Sequence, residues 1–217
     1  MAVRLDHLMW GAPSLEAGMA EAERLFGVRP APGGVHPGLG TCNALLSLGE
    51  DQYLEVIAPD PEQDLSGNLG GRLATLESPS LITWAAAAPD LAGLANRAAE
   101  RELTVRGPIP TERSTPAGAT LRWELLFVGG HDFGAQVPFF IDWLQTPHPA
   151  ATNPSGGRFV SLAIHSNRAH ALNGLFEGLG MDVRAVEAAD NRLEATIDTA
   201  SGEVVLGSIP DTAAWTL

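Results

Sequence analysis

Lysine is absent from this 217-residue chain, and cysteine occurs once, as Cys42. Without lysine there is no Schiff-base amine and no phosphate-clamping ammonium group. The glycines of GGVHPGLG are wrongly spaced for a dinucleotide fingerprint, so no nucleotide cofactor is expected. A lone cysteine excludes an intrachain disulfide and a thiolate metal cluster. Cys42 lies in the apolar run TCNALLSL and reads as a small buried hydrophobe. Positive charge is scarce, with 13 basic residues against 26 acidic ones and a net charge of -13. No segment offers the basic footprint that nucleic-acid backbones or anionic membranes require, so neither is an expected partner. Long apolar runs are missing too: none approaches the ~20 residues of a membrane span. The opening MAVRLDHLMW lacks the pattern of a signal peptide, and the expected location is the cytoplasm.

What is present is an ordinary globular balance, 45% apolar and 18% charged residues. Two apolar runs each carry one chemically able side chain: His7 in LDHLMW and Glu55 in YLEVIAP. Strand alternation places His7 with Leu5 and Met9, and Glu55 with Tyr53 and Ile57. A buried carboxylate needs a cation, a proton or several donors unless its face lines a wet pocket. The pair therefore points to a small-molecule cavity on a concave sheet. A core histidine bonded to backbone, and a carboxylate paired with arginine, are the structural alternatives.

Along the chain, APSLEAGMAEAERLFG reads as a helix capped by Ser14 and stopped by Gly27. Proline and glycine break the chain up to Gly40, after which TCNALLSL and QYLEVIAP are strands. LITWAAAA is a strand, PDLAGLANRAAEREL a helix, RGPIPTERSTPAGA a loop, and TLRWELLFVG and VPFFIDWL strands. A proline-rich linker follows, and RFVSLAIHS, RAHALNGLFEGLG, VRAVEA, RLEATIDT and GEVVLGS repeat the order once more. The fold class is α+β, with repeated βαβββ units over residues 1–79 and 80–146 and a third, shorter βαβββ-like unit over 156–217 covering an edge. Such a unit exposes one apolar sheet face, so two of them pair around a cleft. The odd third unit makes a homodimer an expectation.

With these motifs the chain resembles the vicinal-oxygen-chelate superfamily of glyoxalases, bleomycin-resistance proteins and extradiol dioxygenases. It resembles most of all the glyoxalase-like domain that opens as LDHLMWGAPSLEAGMAEAERLFGV and continues to LEVIAPDP. The resemblance implies paired βαβββ modules curled into incomplete barrels, with metal ligands on the first and last strands of each module. His7 and Glu55 match the first module's ligand positions. In the second, Asp142 is offered by the last strand, while LITWAA has Thr83 and Trp84 where a histidine is expected. The implied ligand set is His7, Glu55 and Asp142 for Zn²⁺, Mn²⁺, Ni²⁺ or Fe²⁺. Loss of one ligand is equally what a pocket without metal would show.

Other candidates complete the site. His36 is a base or ligand beside flexible glycines; Asn43 orients a substrate carbonyl; Arg122 in LRWEL holds a substrate carboxylate or pairs with Asp142 or Glu55; of Trp84, Phe139, Phe140 and Trp143 most are core and one or two, with Trp84 and Phe140 the candidates, wall an apolar pocket. His148 and His170 read as surface residues. With a metal, Glu55 or Asp142 would move a proton in lyase, isomerase or dioxygenase chemistry on a small oxygen-rich substrate. Without one, the cavity sequesters a small molecule, as resistance proteins do.

Overall fold

The predicted serine cap and glycine stop delimit the first helix. In the computed structural model, which describes residues 3–114 and 120–209, α1 spans Leu15–Phe26. Ser14 Oγ accepts from Ala17 N at 3.3 Å, and Gly27 adopts a left-handed φ of 69° just past the helix end, where a Cβ would be strained. The helix follows β1 (Arg4–Gly11) and precedes β2 (Ala31–His36), β3 (Thr41–Ser47) and β4 (Tyr53–Pro59). Gly18 lets α1 approach the sheet closely, since a Cβ there would come within 2.5 Å of the Val56 side chain. After a short helix α2 (Leu69–Leu73), the pattern repeats as β5 (Ser80–Ala87), α3 (Leu91–Ala99), β6 (Thr104–Ser114), β7 (Thr120–Gly129) and β8 (Phe139–Asp142).

These two βαβββ units build one eight-stranded sheet in the order β2-β3-β4-β1-β5-β8-β7-β6. In each unit the first strand pairs in parallel with the last, β1 with β4 and β5 with β8. The units join where β1 runs antiparallel to β5. The result is the α+β, curled, incomplete half-barrel that the sequence predicts. Both outermost strands differ from the sequence reading, which treats Ala31–His36 and most of Thr104–Ser114 as broken chain. An outermost strand needs partners on one side only, so it tolerates Pro32, Pro108 and Pro110, and the pairing shifts at Pro32/Val35 and Arg106/Ile109.

The sheet separates two apolar clusters. On one side Leu8, Trp10, Val56, Trp84, Leu126 and Phe140 pack under α1 and α3. On the other, Met9, Ile57, Ala85, Phe139 and Ile141 form the hollow face.

The third stretch has β9 (Arg158–Ser166), α4 (Ala169–Leu179), β10 (Ala185–Glu187), β11 (Arg192–Thr199) and β12 (Gly202–Gly207). Its element order repeats, but its ladder does not. The strand order is β10-β9-β11-β12, with β9 parallel to β10 and antiparallel to β11. Rather than covering an edge, Leu172, Phe176, Leu193 and Ile197 merge with the helix-side cluster, and Arg97 Nε donates to Leu179 O at 3.1 Å. This stretch thus packs mainly on the back of the sheet, with Ile209 reaching the hollow-face cluster. Residues 210–217 of the expected third unit lie outside the described residues. Among the described residues no helix is long and apolar enough to cross a membrane.

Candidate functional site

Asp6 is the extra residue of a β-bulge in β1, since Leu5 pairs with Ala86 and His7 with Ala85. A bulge re-aims side chains by breaking strict alternation. Leu5 consequently packs against the helix-side cluster instead of sharing His7's face, and Asp6 and His7 come together on the hollow side.

Asp6 is 2% exposed and accepts three N–H groups. His7 Nδ1 is 2.7 Å from Oδ1; Trp143 Nε1 donates to Oδ2 at 3.0 Å and His148 Nε2 at 3.3 Å. His148 Nδ1 accepts from Ala150 N at 3.2 Å, which leaves Nε2 as its donor toward Asp6. Burial works to raise the Asp6 pKa, but the hydrogen bonds from His148 and His7 outweigh it and hold it at about 2.

His7 lies between Tyr53, stacked at 4.5 Å, and the edge of Phe139, at 5.5 Å. Its Nε2 is 3.4 Å from Glu55 Oε2. Burial alone would lower its pKa; the hydrogen bonds and charges of Asp6 and Glu55 prevail and raise it to about 9. Glu55 shows the converse, with burial opposed by His7, His36 and Asn43, which bring it to about 2. At neutral pH the floor therefore reads carboxylate, imidazolium, carboxylate.

Asn43 is fixed at both ends, accepting from Gly34 N at 2.8 Å and donating to Glu55 Oε1 at 2.6 Å. Its amide is thus engaged with the Glu55 carboxylate. His36 joins the rim, with Nδ1 2.9 Å from Thr41 Oγ1 and Nε2 3.8 Å from Glu55 Oε1.

Over this floor is a cavity of about 560 Å³. Leu45, Ile57, Leu125, Phe127, Ile141 and Trp123 supply much of its wall, so both units contribute. His7, His36, Asn43 and Glu55 all line it.

Four sequence candidates are elsewhere. In β8 Phe139 and Ile141 face the cavity, so parity turns Phe140 into the helix-side core and Asp142 away, where its Oδ1 accepts from Leu144 N at 2.8 Å. Trp84 is likewise buried in the helix-side core, with its indole donating to Gln136 O at 3.2 Å. Arg122 is 68% exposed and paired with Glu112 at 3.3 Å, because its neighbour Trp123 takes the inward position of β7. Phe139 and Trp143 line the cavity as two of the aromatic candidates, whereas Asp6 and His148 are members that sequence reasoning missed. The one available signal was two adjacent polar residues, Asp6 and His7, inside an apolar strand.

The donor set does not fit the divalent metal that the resemblance implies. His7 Nε2 and Glu55 Oε2 are spaced like two adjacent ligands, but the second unit answers with Ala85, Phe139 and Ile141. The Thr83 hydroxyl is directed to Ala135 O at 3.5 Å. Among the described residues no three His, Cys, Asp or Glu side chains form a group able to hold a metal ion. A metal ligand must also give up its proton, whereas both nitrogens of His7 face carboxylates.

Comparison with known proteins agrees with the architecture. A family model of the glyoxalase-like domain matches residues 5–195. A hypothetical protein from Staphylococcus aureus has a similar structure, with TM-score 0.67 and 18% identity over 95% of this chain and 85% of that one. A variant of Streptomyces coelicolor methylmalonyl-CoA epimerase in complex with 2-nitronate-propionyl-CoA gives 0.50 at 17% identity, over 69% of this chain and 100% of that one. A mutant of 4-hydroxymandelate synthase from Streptomyces coelicolor gives 0.50 at 16%, over 97% of this chain and 63% of that one. At such identities these likenesses speak for fold alone. The search of curated proteins gives no match.

Proposed function

Because this chain belongs to the glyoxalase-like domain family of vicinal-oxygen-chelate proteins, we propose that its cavity is a metal-independent binding site for a small, largely apolar molecule that presents a hydrogen-bond donor to Glu55. The observation that carries this reading is the wall facing His7 and Glu55. Where a second pair of ligands would complete a metal site, the cavity has hydrocarbon and aromatic rings.

The floor favours a particular polar group. His7 directs its two ring nitrogens to Asp6 and Glu55, so its charge is already neutralised within the protein. Glu55 receives Asn43 on Oε1 and His7 on Oε2, and a carboxylate has further lone pairs to offer. Two carboxylates against one imidazolium leave a net negative floor. A hydroxyl or amine is complementary to it, whereas a bare carbonyl is not. Lyase, isomerase or dioxygenase chemistry through a metal is not proposed, because among the described residues no third His, Cys, Asp or Glu groups with His7 and Glu55 to hold one.

The test is a fluorescence titration of the chelator-treated protein with N-phenyl-1-naphthylamine, an apolar amine that brightens on leaving water. The reading predicts a micromolar dissociation constant, unchanged by added Zn²⁺, Mn²⁺, Ni²⁺ or Fe²⁺. Replacing Ile141 with tryptophan, which fills the cavity, should weaken binding by about tenfold or more. Binding that appears only with one of those metals, or turnover of a hemithioacetal or catechol in its presence, would overturn the proposal.

A further inference from the structure

A second cavity of about 430 Å³ adjoins the first, and the two share Arg106, Phe127 and Phe139 as walls. Among the described residues its lining contains no aspartate or glutamate. His131, on its far side, uses both ring nitrogens internally, 3.1 Å from Val128 O and 3.3 Å from Phe133 N, and burial pushes its pKa down. Of the three shared residues Arg106 is the charged one; Arg72 and Glu112 line the first cavity only.

Arg106 faces Phe127 across the β6–β7 ladder, and its guanidinium carbon is 4.3 Å from the Phe127 ring centroid. This cation–π contact seats the guanidinium against the ring, and a guanidinium offers paired N–H groups to a planar partner. Acidic residues outnumber basic ones 26 to 13 in this chain, and Arg4, Arg24, Arg29, Arg122, Arg158, Arg168 and Arg192 all pair with carboxylates. Arg106 pairs with none among the described residues, although it is placed where two cavities meet.

We propose that Arg106 anchors an oxyanion of the ligand, so that the site takes an apolar molecule with a donor at the Glu55 end and an acidic group at the Arg106 end, the pattern of a hydroxy acid or its phosphate counterpart. This rests on the binding function proposed above and assigns to Arg106 the carboxylate-holding role that the sequence suggested for Arg122. An exposed guanidinium in water gains little from a monodentate charge contact; a bidentate pair on a stacked plane is the stronger arrangement.

Two probes with the same aromatic skeleton isolate the charge: 8-anilinonaphthalene-1-sulfonate and N-phenyl-1-naphthylamine, which lacks the sulfonate. The wild-type protein should bind the sulfonate about tenfold more tightly, and in Arg106→Gln the ratio of the two affinities should fall to about one. An unfolding midpoint in urea equal to that of the wild type shows that the variant is folded. A preference that is absent from the wild type, or that survives in Arg106→Gln, would overturn the Arg106 assignment alone. Binding of neither probe would overturn the apolar-cavity reading and this proposal with it. Competition against the bound sulfonate by 1-naphthoate and by 1-naphthyl phosphate identifies the oxyanion from the stronger competitor; displacement by neither would contradict an oxyanion site.

Discussion

Asp6→Ala is expected to lower the stability of the protein by about 3–5 kcal/mol, the usual cost of removing one partner from a buried ion pair. The carboxylate is 2% exposed and is the shared acceptor of His7, Trp143 and His148. Its removal leaves an imidazolium and the N–H groups of Trp143 and His148 without their shared acceptor, and those that are buried then bear a desolvation cost. Those donors come from β1, from the segment just after β8 and from the linker beyond it, so Asp6 also ties the two units across the floor. Asp6→Asn keeps the shape but replaces one acceptor oxygen by a donor, and should fall between wild type and Asp6→Ala. Urea unfolding at pH 7 measures both. A loss below about 1 kcal/mol for Asp6→Ala, the size of an ordinary exposed pair, would show that the floor is not a buried ionic network.

The same network makes stability a dome in pH. His7 is raised from 6.5 to about 9, so its contribution is fully present below pH 6.5 and is lost as pH rises through 9. Asp6, lowered from 3.8 to about 2, and Glu55, lowered from 4.5 to about 2, contribute stability that is present above their ordinary values and lost as pH falls through 2. Stability should therefore be greatest between about pH 4.5 and 6.5. The alkaline arm should amount to on the order of 3 kcal/mol by pH 9 or above. The acid arm should be of similar size, and less than the sum of two carboxylates because both act through the one imidazolium. His7→Gln should flatten the alkaline arm. A wild-type protein whose unfolding midpoint does not change between pH 6.5 and 9.5 would contradict a buried imidazolium.

The part of this site that was legible in the sequence is the part that obeys strand alternation. His7 and Glu55 are polar residues inside apolar runs, and the structure brings their side chains within 3.4 Å. Asp6 was hidden by the bulge that puts two consecutive residues on one face. His148 was hidden because a linker histidine reaches Asp6 only through the tertiary fold, over a separation of 142 residues. Parity without a known inward face explains the misplacement of Phe140, Asp142 and Arg122: each is one residue from the side chain that does line the cavity. Arg106 escaped notice because its strand is an outermost one, rich in proline and glycine, and reads as a loop. Helix α1 was legible from its period and caps and α3 from its apolar spacing, whereas the altered ladder of the third stretch leaves no mark on the order of its elements.

The central claim, that a small apolar molecule occupies the hollow face above Asp6, His7 and Glu55 without a metal, is tested most directly by methyl-resolved NMR of the chelator-treated protein titrated with N-phenyl-1-naphthylamine. The account predicts that Met9, Ile57, Leu125 and Ile141, which line the cavity, shift together with a common dissociation constant. The exposed Val160, Val186 and Val205 of the third stretch should remain still. Shifts confined to those valines, or cavity methyls that respond only after a divalent metal is added, would contradict it.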